Sequence, residues 1–212
     1  SPLKIMESPP KYGEQPLKAV DFACGSGTLL SALYKELEAR HRIRAEEPNV
    51  GSLHEYMIEE GLWGFDVLQH ATHLAMTTLS LHNPSTSVDL SRIYALKLGK
   101  FDKNAFLGSP DFLKSPDISP VKLQRGGVGA ERVGVSQRRA AEGEKVPNFH
   151  MCIMNPPFTR SVGGNLLFGD LPSEERKELQ KVLSSLLKEK KLTGIGQAGL
   201  GAVFVYLSDQ YL

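Results

Sequence analysis

Asn155-Pro156-Pro157-Phe158 is the stretch of this 212-residue chain whose residue types and spacing can do chemistry. Each proline fixes φ, lacks an N–H and pushes the residue before it into an extended conformation. The Asn155 side-chain oxygen and the Pro156 carbonyl are therefore two acceptors on a stiff backbone. Such a pair suits a planar exocyclic amine like that of adenine, whose lone pair is delocalised into the ring. Accepting both amine protons favours a pyramidal nitrogen with its lone pair aimed at an electrophile. Phe158 adds a flat face on which a base can stack. A strand end with a proline turn and a core phenylalanine would read the same way, so the string needs a second motif to give it weight.

That second motif lies far upstream, at Asp21-Phe22-Ala23-Cys24-Gly25-Ser26-Gly27-Thr28. Leu17 to Phe22 is a short apolar run of strand type, and a helix is expected from about Thr28 to Arg42. Glycines between them permit positive φ and close approach of a ligand to the backbone. Free N–H groups at the helix start favour an anionic group such as a carboxylate. The dinucleotide fingerprint G-x-G-x-x-G is not met, because Leu30 stands at the third glycine position.

Taken together, Asp-x-Ala-Cys-Gly-Ser-Gly-Thr-x-Leu and Asn-Pro-Pro-Phe resemble the S-adenosylmethionine-dependent DNA adenine-N6 methyltransferases of restriction–modification systems. The family usually has Pro where Phe22 stands. The resemblance covers Ala19–Leu30, Phe65–Leu81 and Met151–Phe158 well and the remaining helices loosely. It implies that Asp21, Ala23, Gly25 and Gly27 surround the methionine end of the cofactor. Asp66 is then the ribose acceptor, and Asn155, Pro156, Pro157 and Phe158 form the catalytic tip that holds a flipped adenine. Asp66 also fits a helix cap. Ala105 to Leu113 resembles a Gly-Ser-Leu-Asp-type stretch, in which Asp111 accepts from the cofactor adenine; a surface turn at Ser109-Pro110-Asp111 fits equally well. The implied partners are double-stranded DNA and a specificity domain or subunit, with a nuclease as a further candidate. The same tip would suit a protein glutamine or an RNA guanine amine, and an inactive cofactor-binding or assembly module is a third reading.

Composition sets the frame around these motifs. A net charge of +1, 41% hydrophobic and 23% charged residues describe an ordinary globular chain, so any nucleic-acid surface must be local. Cys24 and Cys152 have no metal-like spacing, and no metal site is expected, the His70/His73 pair on one helix having no further ligands nearby. Reduced thiols, no signal peptide and no bilayer-length apolar run give a cytoplasmic expectation with no membrane partner.

The fold expectation is α/β, a Rossmann-like sheet with helices on both faces, over a partial methyltransferase domain, 1–212, truncated at both ends. Strands are expected at Leu17–Phe22, Leu62–Asp66, Ile93–Leu98 and His150–Met154. Helices are expected at Thr28–Arg42, Ser52–Glu60, Val67–Leu81, Pro172–Lys191 and Ala202–Leu212. Asp21 and Asn155 are 134 positions apart, whereas two βαβ steps need on the order of 60, which puts a long insertion at about 84–147. Its Gly/Arg-rich part, Val121 to Pro147, carries six basic and three acidic residues and is expected to be a mobile loop. Thr159 to Asn165 is expected to be a closing loop. The chain alone is expected to lack a further strand, to expose apolar surface and to bind cofactor weakly.

Overall fold

The structure is a computed structural model that describes residues 17–44, 47–123, 144–159, 168, 171–192, 194–195 and 199–212. Residues 124–143 of the expected Gly/Arg-rich loop and 160–165 of the expected closing loop lie outside the described residues.

Four short apolar segments form the central sheet: β1 (Ala19–Asp21), β2 (Leu62–Asp66), β3 (Arg92–Ala95) and β6 (Met151–Cys152). The order is β3-β2-β1-β6 and every neighbouring pair is parallel. Val20 stands opposite both Trp63 and Cys152 in register. Parallel strands need long crossovers, which is why the chain between them is helical. α1 (Thr28–Arg44), α2 (Val50–Tyr56) and α3 (Gln69–Ser80) are the first of these crossover helices.

Side-chain alternation along the strands divides the core in two. Ala19, Leu62 and Ile93 pack with Leu30, Tyr34, Met57, Ala75 and Leu79 from the α1–α3 side. Val20, Trp63, Phe65 and Tyr94 face the other way, into a larger cluster with α4 (Ser173–Glu189) and α5 (Leu200–Asp209). That second cluster is strongly aromatic: Phe22 stacks on Phe65 at 5.7 Å, and Phe65 meets Phe112 edge-on at 4.9 Å. Both faces of the sheet are thus covered, as near-continuous apolar strands require.

Local chemistry explains where the elements depart from the sequence pattern. Strand β2 has the bounds expected of it. The helix expected from Val67 starts at Gln69, because the Asp66 carboxylate accepts the Leu68 N–H at 2.9 Å and delays the first turn. The helix expected over Ser52–Glu60 is capped by Asn49, whose side chain accepts the Ser52 N–H, and it ends in a π turn at Met57–Gly61. The strand expected over Ile93–Leu98 stops at Ala95. A hairpin follows, β4 (Leu98–Phe101) against β5 (Asn104–Leu107), closed by Asp102-Lys103 with Asp102 at φ 54°. The alternation of Ile93 to Leu98 runs through both pieces, so it could not show the break. β6 is shorter than the run His150–Met154, yet the His150 and Ile153 N–H groups bond the Lys18 and Val20 carbonyls, which carries pairing along most of it.

Candidate functional site

The glycine turn is built from the end of β1 outward. Asp21 closes the strand, and its Oδ1 accepts the Ala23 N–H at 2.9 Å. The Cys24 N–H reaches across to the Phe65 carbonyl at 2.9 Å, tying the turn to β2. Gly25 and Gly27 take φ of 50° and 80°. At Gly27 an added Cβ would lie 2.8 Å from the Ala75 Cβ, so the turn and α3 touch without room for a side chain. Gly27→Ala is therefore expected to cost about 2–3 kcal/mol, from left-handed strain plus overpacking, read in a denaturant titration. At Gly25 an added Cβ would meet nothing within 4 Å. That face of the turn is open.

Asp66 joins the two turns. Its Oδ2 accepts the Gly25 N–H at 2.8 Å while its Oδ1 accepts the Leu68 N–H. Asp66 thus holds the turn before α3, whose first turn has no side-chain cap, and each oxygen retains a lone pair for a further donor. Asp21, 1% exposed, is in a different situation. Burial pushes its carboxyl up to about 7, and the neighbouring Asp66 charge adds to the rise. Burial raises both thiols as well, with Asp66 and Asp21 adding to the effect at Cys24, so neither is an activated nucleophile.

A cavity of about 320 Å³ opens at the carboxyl ends of β1, β2 and β6. Ala23 and Asp66 border it on one side, Asn155, Pro157 and Thr159 on another. Ligands in open parallel sheets sit at this end of the strands. The Asn155 side is fixed by α5, which runs alongside β6 and the tip. The Leu200 N–H donates to the Thr159 carbonyl at 2.9 Å, an added Cβ at Gly201 would rest 3.7 Å from the Pro157 carbonyl oxygen, and the Ser208 hydroxyl sits 3.2 Å from the Cys152 thiol. Asn155 itself is exposed, and Phe158 is 70% exposed and outside the cavity lining.

Asp111 stands apart. It is 4% exposed, in a 3-10 turn over Ser109–Leu113, with one oxygen accepting the Leu107 N–H at 2.6 Å and the other on Lys114. The carboxylate closes the end of the hairpin instead of facing the cavity. Its neighbour Ser109 does line the cavity, and donates to the Phe22 carbonyl at 2.6 Å.

The apolar walls were not identified as site residues from sequence. Leu98 and Leu107 come from the unexpected hairpin, Phe168 and Leu171 from a stretch with no periodicity, Leu200 and Phe204 from the first turns of α5. Only the α5 stripe carried a signal, and that signal was burial, not site. The result is an apolar slot with a carboxylate and a carboxamide on separate walls, suited to a flat heteroaromatic ring carrying hydroxyl and amine donors. No family model matches the chain, and no curated protein matches its sequence.

Proposed function

We propose that this chain is the cofactor-binding and catalytic part of an S-adenosylmethionine-dependent DNA adenine-N6 methyltransferase with a Rossmann-like sheet. One observation carries the reading: Phe22 and Ala23 at the head of the glycine turn, Asp66, and Asn155 and Pro157 of the tip, which are distant in sequence, line one cavity at the carboxyl ends of parallel strands. A cavity of about 320 Å³ also falls at the lower end of the roughly 300–1,000 Å³ range of small-molecule sites.

The residues present fit such a cofactor. Gly25 leaves an open backbone face beside Asp66, which suits the methionine end, and the spare lone pairs of Asp66 suit the two ribose hydroxyls. Apolar walls from Val67, Leu68 and Leu107 suit the purine ring. When bound, S-adenosylmethionine supplies an electrophilic methyl group on a sulfonium. Asn155 Oδ1 and the Pro156 carbonyl would accept the two protons of the target amine and so free its lone pair for an electrophile. Phe158, with its ring largely in solvent, offers a stacking surface for a base drawn out of a duplex. After transfer the nitrogen loses its extra proton to water or the Asn155 oxygen.

The first test is the cofactor. Asp66→Ala is expected to weaken S-adenosylmethionine binding by about 1.5–3 kcal/mol in calorimetric titration, the scale of a lost charged acceptor. It is also expected to lower the melting temperature, since two backbone N–H groups lose their partner. A lower melting temperature with unchanged affinity would reduce Asp66 to a structural acceptor joining the two turns. Methyl transfer to unmethylated but not fully methylated duplex DNA tests the acceptor; transfer to protein or RNA alone would move the reading to those substrates.

A further inference from the structure

α4 sorts its charges along its length, acids toward its start and lysines toward its end. Leu179, Leu183, Leu186 and Leu187 are buried against the core. The acidic residues of its first half are engaged: Glu175 accepts the Lys100 N–H, Glu178 pairs with the Lys100 amine at 3.1 Å, and Glu174 pairs with Lys177 at 3.0 Å. Lys181, Lys188, Lys190 and Lys191 are all exposed, and none has an acidic partner among the described residues. Glu189 is the single acid among them. Lys181 and Lys188 are two turns apart on one side of the helix, and the group spans about 15 Å from first to last.

The end of the helix is the second observation. The Leu192 N–H bonds the Leu187 carbonyl at 2.7 Å and the Lys191 N–H bonds the Lys188 carbonyl at 3.0 Å. That is a Schellman ending, whose left-handed residue is usually glycine. Here the position is Lys191, at φ 60°. A lysine in this conformation is strained relative to glycine, and strain at an exposed position points to a use for the side chain. Attraction to the helix dipole accounts for cations near Lys188, but not for Lys181 in mid-helix or for the strain at Lys191.

Both ends of this segment border the cavity, at Leu171 before α4 and Leu200 after it. We propose that Lys181, Lys188, Lys190 and Lys191 form a docking surface for the phosphate backbone of duplex DNA. The inference rests on the reading of the cavity as a DNA-modifying site and adds where the rest of the duplex is held. Phosphate contacts of this kind position a duplex without reading its sequence, and with a net chain charge of only +1 they must come from such a local group.

The test is fluorescence anisotropy of a mixed-sequence duplex over a salt series, with no cofactor present. Replacing all four lysines together, Lys181→Gln, Lys188→Gln, Lys190→Gln and Lys191→Gln, is expected to weaken binding at least about 10-fold and to reduce the log–log salt slope by about 2–3. An equal removal of charge from α1 (Lys35→Gln, Arg40→Gln, Arg42→Gln, Arg44→Gln) is expected to change the slope much less. Lys191→Gly alone is expected to raise the melting temperature by about 2–4 °C while weakening duplex binding, opposite signs that a purely structural lysine would not give. Equal losses in the α4 and α1 variants would overturn the proposal. So would the absence of duplex binding, or tighter binding to anionic phospholipid vesicles lost in the same α4 variant. Duplex binding of the expected kind without S-adenosylmethionine uptake would sink the cavity reading and leave the lysine surface standing. Cofactor uptake with an unchanged salt slope would sink the lysine surface alone.

Discussion

In a preparation that transfers methyl groups to duplex DNA, Asn155→Ala is expected to lower the single-turnover rate by at least about 10²–10³, the scale for a lost preorganised partner of a reacting group. Affinity for S-adenosylmethionine is expected to stay close to that of the parent. The difference follows from position: Asn155 is exposed and lines the cavity, whereas the backbone around it is held by other groups. The Thr159 carbonyl is bonded by the Leu200 N–H, and Ile153 by the Val20 carbonyl, so the tip keeps its course when the side chain is removed. Stability is accordingly expected to change little. A variant that turned over at the parent rate would remove the carboxamide from the chemistry, and with it the reason for reading the tip as catalytic.

The parts of the site legible in the sequence were those in which local backbone chemistry and function coincide. Two prolines after an apolar run end a strand wherever they occur, and glycines before an apolar helical stripe make a turn, so Asn155 and Gly25 could be placed without tertiary knowledge. β2 was legible for the same reason, as a short apolar run ending in an acid. What could not be read was anything that depends on contacts between distant segments. Asp111 occupies a turn of the expected kind, but whether its carboxylate points outward or back to the Leu107 N–H is decided by a hairpin that hydrophobic alternation did not separate from β3. The cavity walls Leu98, Phe168 and Phe204 are ordinary apolar residues, and only packing distinguishes them from the rest of the core. Covering of both sheet faces was legible in the strands; which helix covers which face followed only from the two clusters.

Asp21→Asn is expected to make the protein more stable at pH 8, by about 2–4 kcal/mol, and to leave it unchanged near pH 3. The Asp21 carboxyl is buried at the end of β1, and its pKa rises from 3.8 to about 7, burial being the main cause and the Asp66 charge a lesser one. Between those values the folded chain holds a proton that the unfolded chain has released. Stability from this group therefore falls as pH rises from about 4 to about 7, and the full penalty of a buried anion stands above 7. The asparagine keeps a side-chain oxygen for the Ala23 N–H, so the turn retains its bond while the charge is gone. Thermal melts of both proteins across this range should converge at low pH and separate through neutrality. Parallel curves would mean that Asp21 is already ionised and solvated in the folded state. A carboxyl kept at such a cost suits a cation brought by a ligand, and the ammonium of the methionine end of S-adenosylmethionine is one. Binding would then draw the Asp21 proton off near neutral pH, so cofactor affinity should rise with pH through about 7 in the parent and stay flat in Asp21→Asn. Calorimetry in buffers of different ionisation enthalpy reads the released proton directly, and an equal heat in every buffer would remove Asp21 from the cofactor site.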